Sequence, residues 1–454
     1  MELIIITIFV IGYVLITLEH TIKVDKAAPA ILLGVLTWAV YALMTGDSHS
    51  IPDFAQPGAP ETSVLHQLEH HLPEIVSILF FLMGAMTIVE LIDINDGFHV
   101  ITSRITTRSK STLLWILCTL TFFLSATLDN LTTAIVMASL IRKIINDKTD
   151  RLMFASMVVI AANAGGAWSP IGDVTTTMLW IGDNISVVNI ITQLFIPSVV
   201  CMLVPLAIVS FRMKGDLPPL EYTSSYKTTE GERRLFLAVG VGCLIFVPIF
   251  KTVTHLPPFM GMFFGVGVMW FLAEFIHKQK DPKDKSEMSI FHALERVDMP
   301  SILFFFGILA GVACLSSIGT LKGVAGWLNT TVGNMDIITM IIGVLSAVVD
   351  NVPLVAASMQ MYDIPTAETL ASVGPEQAAY LSEYFTQDGK FWEFLAYCAG
   401  TGGSTLIIGS AAGVAIMGIE KIEFFWYMKN FSWLALAGYI AGAITYLLMY
   451  PIMH

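Results

Sequence analysis

Apolar runs of roughly 15 to 20 residues, separated by short polar stretches, set the pattern of this chain. Runs of that length are what a helix needs to cross a bilayer. They predict spans near 1–18, 27–45, 73–92, 151–180, 185–211, 234–250, 256–277, 299–317, 392–417 and 428–450. Two further apolar stretches, 111–142 and 335–358, each carry an Asp-Asn pair. The first reads Leu124-Ser125-Ala126-Thr127-Leu128-Asp129-Asn130, and the second Leu345-Ser346-Ala347-Val348-Val349-Asp350-Asn351. The pairs lie 221 positions apart, close to half of 454 residues. A carboxylate is costly in hydrocarbon, so a duplicated one needs a reason.

Other words repeat in the same order. Ser77-Ile78-Leu79-Phe80 resembles Ser301-Ile302-Leu303-Phe304, and each leads to a glycine, Gly84 and Gly307. Gly165-Gly166-Ala167-Trp168-Ser169-Pro170-Ile171-Gly172-Asp173 has a counterpart 237 positions later in Gly402-Gly403-Ser404-Thr405-Leu406-Ile407-Ile408-Gly409-Ser410. The longer spacing comes from an acidic insertion at 359–391. These repeats predict a first half at 1–211, a linker at 212–233 and a second half at 234–454.

Basic residues orient the spans. With the N-terminus outside, the loops at 19–26, 93–110, 143–150, 212–233, 278–298 and 418–427, with their flanks, hold 21 of the 24 Lys and Arg. Only Lys251, Lys322 and Lys390 fall elsewhere, and the outer loops at 46–72 and 359–391 are acidic. Both chain ends are then periplasmic. This works only if 111–142, bounded by Lys110 and by Arg142-Lys143, enters and leaves on one side. Its 32 residues are too many for one upright helix and too few for two. A re-entrant hairpin with Asp129-Asn130 at its tip fits. By the same reasoning 335–358 is a hairpin from the opposite face, turning at Asp350-Asn351-Val352-Pro353. The expected fold is an all-α polytopic membrane protein, with about ten full spans, two re-entrant hairpins and broken helices near the midplane, in two inverted-topology repeats. Ion-coupled transporters share this design.

Composition narrows the function. The chain is 55% hydrophobic and 13% charged, with mean hydropathy +0.73 and net charge -12. It has no basic tract suited to nucleic acid and no Gly-x-x-x-x-Gly-Lys phosphate loop, which argues against an ATP-driven pump. The apolar N-terminus lacks a charged leader region and reads as a retained first helix. The five cysteines lie in apolar surroundings without metal spacing. His66, His70 and His71 could form a metal site or pH sensor but read first as exposed loop histidines. Gly97–Lys110 and Gly319–Asn334 read as interfacial helices.

The Gly-rich breaks supply the chemistry. Gly165, Gly166 and Gly172 permit non-helical backbone, and Pro170 removes a donor. Unwound backbone exposes carbonyls that ligate cations, and half-helix starts expose N–H groups that favour anions. Asn163, Ser169, Asp173 and Thr175 add oxygens in the first break, and Ser404 and Thr405 in the second. Ser410 stands where Asp173 stands, so the second break lacks the acid. Asp129, Asn130 and Asp173 form the expected Na⁺ or Li⁺ ligand set, because carboxylate and amide oxygens suit hard cations. Asp350 and Asn351 add a second pair, although Asp350 could instead cap its helix. A carboxylate there can hold a proton or a metal ion in turn, which permits exchange without a separate proton path. No basic residue is expected at either hairpin tip. Glu90 and Ser410 are candidates for the ion path, with interface anchoring the simpler role for Glu90. No cofactor is expected.

The chain resembles the NhaD-type sodium/proton antiporters, within the superfamily that includes ArsB-like arsenite and dicarboxylate carriers. The words that carry the resemblance are His70-His71-Leu72-Pro73-Glu74-Ile75, Phe81-Leu82-Met83-Gly84, Ser125-Ala126-Thr127-Leu128-Asp129-Asn130-Leu131-Thr132-Thr133, Asn163 through Thr176, Asp350-Asn351-Val352-Pro353 and Gly402 through Gly413. The resemblance covers nearly the whole chain. It implies exchange of cytoplasmic Na⁺ or Li⁺ for external protons, a bacterial inner membrane, and roles in pH homeostasis and salt tolerance. It also implies a homodimer in which a scaffold carries a moving transport domain, with Asp129, Asn130 and Thr132 at the first hairpin tip. An anion carrier of the same fold (arsenite or dicarboxylate) and a channel or non-transporting scaffold are the alternatives.

Overall fold

Hydrocarbon offers no water to satisfy backbone groups, so apolar runs must fold as helices there. The computed structural model describes residues 2–45, 52–54, 63–104, 107–217 and 228–453, and these form helices without a strand. Asp47 and Glu61 of the expected acidic loop, and residues 218–227 of the expected linker, lie outside the described residues.

Eight described helices are long and apolar enough to cross a membrane. Ala27–Thr45 and Met299–Ser317 begin and end where the apolar runs predict. Val64–Ile94 starts nine residues earlier than expected, because the Ser63 hydroxyl caps it by accepting from the His66 amide. The histidines are therefore helical, not in a loop, and buried His71 lies 3.2 Å from the Ser317 hydroxyl. Glu2–Thr17 is shorter than a full span. The expected spans at 151–180 and 392–417 are broken, as Lys148–Gly166 with Val174–Ile181, and Lys390–Gly402 with Ala411–Glu420. Of the two expected interfacial helices, Thr320–Thr331 forms, whereas the described residues of the first give the single turn His99–Thr102.

Lys110–Leu128 and Asn130–Ile144 are joined by Asp129 alone, at φ 71. Ion pairs place both ends of this hairpin on one face. Lys110 meets Asp150, at the start of the first broken helix, at 2.5 Å. Arg142, near the hairpin's end, and Arg151 both clasp fully buried Glu420, at 2.8 and 2.7 Å. The first arm has 19 residues, about 28 Å of rise, and is long enough to cross a membrane by itself. The second hairpin, Met335–Leu345 and Asn351–Met361, is tied in the same way but with the signs exchanged, Asp336 to Lys390 at 2.7 Å.

The repeat is legible atom by atom. Ser125 donates to the Ala162 carbonyl at 2.6 Å, and Ser346, its counterpart, to the Ala399 carbonyl at 3.0 Å. A Cβ on Gly165 would lie 2.2 Å from the Phe122 carbonyl oxygen, and one on Gly402 1.9 Å from that of Gly343. Each hairpin arm thus packs backbone to backbone on its broken helix, which only glycine allows. The halves also exchange helices: Ala27–Thr45 packs on Met299–Ser317, and Pro258–Ile276 on Val64–Ile94. Val187–Arg212 and Trp433–Met453 pack on each other.

Candidate functional site

Four half-helices begin inside the protein, at Asn130, Val174, Asn351 and Ala411. Each has a side-chain cap. Asp129 accepts from the Thr132 amide at 2.9 Å, Asp173 from that of Thr175 at 2.9 Å, Asp350 from that of Val352 at 3.3 Å, and Ser410 from that of Gly413 at 3.2 Å. The exposed N–H groups and the helix dipole favour negative charge at such positions. All three deep carboxylates therefore sit where the backbone itself stabilises an anion.

Asp173 is the centre. One carboxylate oxygen also accepts from the Thr175 hydroxyl at 2.9 Å. The other accepts from the Asn130 amide at 2.5 Å and the Asn351 amide at 3.3 Å. Both Asp-Asn words thus deliver their asparagine to the same acid. Asn130 also donates to Asn163 Oδ1 at 3.1 Å, and Asn163 donates to Ser404 and Ser410 at 2.9 and 2.8 Å. One buried polar chain links both hairpin tips and both breaks.

Asp129 turns the other way. Besides the Thr132 amide it accepts from the Thr132 hydroxyl at 2.8 Å. It shares a small cavity with Asp173, Thr127 and Thr177, walled by Phe81 and Met262. Two carboxylates and two threonines around one small cavity form a donor set for a small hard cation. No Lys or Arg lines that cavity. Asn130 presents its NH₂ to Asp173, so in this arrangement it satisfies the carboxylate rather than offering an oxygen to a cation.

Other expected site residues fall differently. Ser169 donates to the Ala126 carbonyl at 2.6 Å and pins the break to the hairpin. Thr405 lies beside Ser404, but its buried hydroxyl meets no partner among the described residues. Glu90 pairs with Arg296 at 2.9 Å, one residue from Val89, which lines the cavity of Asp129 and Asp173. Asp350 overturns one expectation: a basic residue does sit at a hairpin tip. Lys26 Nζ lies 3.2 Å from Asp350 Oδ2. Its charge reads from the sequence as part of a polar loop, and only the packing of Ala27–Thr45 against Met299–Ser317 brings it to Asp350.

Comparisons with known proteins place the chain in a family. A family model described as citrate transporter (CitMHS) matches residues 5–382. The chain is 44% identical over 444 residues to sodium/proton antiporter 1 of Arabidopsis thaliana, covering 97% of this chain and 71% of that protein. It is 30% identical over 471 residues to the Na⁺/H⁺ antiporter NhaD of Vibrio cholerae, covering 97% and 90%. The chain is a member of the CitMHS family, on its NhaD-type sodium/proton antiporter branch. Antiporters of this branch are transporters, not enzymes. The YdaH transporter of Alcanivorax borkumensis, a crystal structure, matches at TM-score 0.54 and 12% identity over 93% of this chain and 98% of that one. That likeness supports the polytopic transporter fold.

In this NhaD-type chain, sequence reasoning missed two buried charges. Lys26 is one. The other is Glu393, fully buried at the start of the second broken helix, where it accepts from Tyr446 Oη at 2.7 Å and from Asn189. The apolar word around it, Phe391-Trp392-Glu393-Phe394, was the available signal.

Proposed function

We propose that this protein is a secondary antiporter that exchanges cytoplasmic Na⁺ or Li⁺ for external protons by alternating access, at Asp129 and Asp173. One observation carries the reading: two carboxylates face a single small cavity without a basic residue. Deprotonation of this pair creates a cation site, and protonation abolishes it. The sodium/proton antiporter names of the relatives in Arabidopsis thaliana and Vibrio cholerae support the same exchange.

The hydrogen bonds suggest how binding couples to movement. A cation at Asp173 competes with the amides of Asn130 and Asn351. Those amides belong to the two hairpin tips, so the state of one carboxylate is felt by both hairpins at once. The Glu420 clasp on Arg142 and Arg151 ties the first hairpin to both broken helices. These elements then move together against the scaffold helices.

In this reading residues 1–211 and 234–454 are the two inverted repeats, with 212–233 linking them. The basic face lies in the cytoplasm of a bacterial cell, and the chain ends lie in the periplasm. The protein works as a homodimer in the inner membrane, serving pH homeostasis and salt tolerance.

The citrate name of the family model gives an anion carrier a specific claim. Helix starts can hold a carboxylate, but here Asp129 and Asp173 already cap them, and no Lys or Arg lines their cavity to offset the added negative charge of citrate. Proteoliposomes with an imposed proton gradient separate the readings. Addition of Na⁺ or Li⁺ dissipates the gradient under this proposal, and citrate neither dissipates it nor competes. Citrate uptake without a Na⁺ response overturns the proposal.

A further inference from the structure

The two Asp-Asn words differ in one respect that the sequence repeat conceals. Asp129 has no basic partner among the described residues, whereas Asp350 has Lys26 at 3.2 Å. Both side chains of that pair are largely buried, 17% and 10% exposed. The ammonium also lies over the Phe304 ring, 4.3 Å from its centroid. Two other acids, one its neighbour in sequence and one close in space, are engaged elsewhere. Asp25 accepts from the Ala27 amide at 2.8 Å, and Asp298 accepts from the Ser301 hydroxyl at 2.5 Å. Lys26 thus reaches past them to the hairpin tip. It lines a cavity with Glu19, Asp25, Asp298, Leu131 and Ala411, which leads from the basic face toward both the first hairpin tip and the second break.

We infer that Lys26 is the resident counter-ion of the second hairpin: its ammonium fills the cation position at Asp350 and so confines exchange to Asp129 and Asp173. A tethered ammonium and a mobile Na⁺ make the same demand on a carboxylate, and the tether gives the lysine a high effective concentration. The second Asp-Asn word then keeps its helix-capping aspartate and its asparagine, which serves Asp173, while its charge is cancelled internally. Lys26 also comes from the Ala27–Thr45 side, so the pair ties the second hairpin to a helix outside the hairpins and breaks. It fixes the number of carboxylates that can exchange a proton per cycle.

This inference rests on the antiport reading, and the test separates the two. Wild type, Lys26→Arg, Lys26→Gln and the double variant Lys26→Gln/Asp350→Asn are reconstituted, and three quantities are read: apparent Na⁺ affinity, protons moved per Na⁺, and thermal midpoint of the purified protein. Lys26→Gln frees a third carboxylate, so protons per Na⁺ rise and the apparent Na⁺ affinity shifts by about tenfold, a common size for coupling between charged sites. The double variant returns both to wild-type values, and Lys26→Arg retains them. Its thermal midpoint also recovers relative to Lys26→Gln, because both charges leave together. If Lys26→Gln does not fold, the double variant decides, since it folds and exchanges with the wild-type ratio only when the two charges are partners. Wild-type ratio and affinity in Lys26→Gln, or a double variant as altered as the single one, overturns the inference. Failure of wild type to exchange Na⁺ for protons overturns the antiport reading instead, and recovery of the thermal midpoint still tests the pair.

Discussion

Asn351 Nδ2 lies 3.3 Å from Asp173 Oδ2, so the second hairpin donates to the acid of the first broken helix. Asn130 donates to the same oxygen at 2.5 Å. The two asparagines therefore act on exchange through one shared atom. Asn130→Ala and Asn351→Ala each slow exchange, Asn130→Ala by more, because its contact is shorter. A hydrogen bond to a charged group contributes about 1.5–3 kcal/mol, or roughly ten- to a hundredfold in rate. The double variant is slower than either single one by less than the product of the two effects. A double-mutant cycle on initial exchange rates checks this, and independent effects would show that the amides do not converge functionally.

Asn163 joins the two breaks by donating to Ser404 and Ser410. Asn163→Ala leaves those buried hydroxyls without this donor and Asn130 without one acceptor. An unsatisfied buried polar group costs about 1–3 kcal/mol. The expected outcome is a lower thermal midpoint in detergent together with impaired exchange. A Ser404→Ala variant keeps the Ser410 contact and loses less.

Backbone contact between hairpin and break has its own test. Gly402→Ala drives a methyl into the Gly343 carbonyl, whereas a Cβ at Gly418 meets open space. Gly402→Ala lowers the thermal midpoint and abolishes exchange. Gly418→Ala, in the same broken helix, preserves both or gains slightly from its better helix propensity. Thermal unfolding of the two variants side by side reads the difference.

His277, just beyond Pro258–Ile276, stacks on Phe236 at 5.5 Å between ring centroids, and its buried Nε2 meets no partner among the described residues. Burial, aided by the charge of Lys280, pushes it from 6.5 down to about 4. The unfolded chain takes up this proton near pH 6.5, while the folded protein resists it until about pH 4. Its contribution to stability is thus complete above pH 6.5 and is lost as pH falls toward 4. His277→Phe keeps the stack and flattens the decline in thermal midpoint over that window. Identical pH profiles would show that the histidine does not titrate in this way.

Much of this architecture is written in apolar run length and charge. Lys110, Arg142 and Arg151 mark the basic face in the sequence, and their pairing with Asp150 and Glu420 puts both ends of the first hairpin there. The repeat offset of 221 makes Ser125 and Ser346 counterparts, and each donates to its broken helix. Other features depend on long-range packing and leave no local trace. The approach of Lys26 to Asp350 spans 324 positions and needs the exchange of helices between halves. The convergence of Asn351 on Asp173 needs two helix starts to face each other. The partner of Glu90 likewise lies far off in sequence: Arg296 is 206 positions away, and an apolar flank alone does not announce the pair.

The central claim is that Asp173 is the carboxylate through which cation, proton and both hairpins are coupled. The most direct measurement is Na⁺-driven proton movement in proteoliposomes carrying Asp173→Asn, beside wild type reconstituted at equal density. Asparagine keeps the size of the side chain and can still accept from the Thr175 amide, but its NH₂ then faces the amides of Asn130 and Asn351. The thermal midpoint of the variant is therefore read beside its exchange to show that it folds. The account predicts wild-type exchange and loss of at least about a hundredfold in the variant, the effect expected when a buried charge that binds the ion is removed. Exchange in Asp173→Asn at the wild-type rate would contradict it.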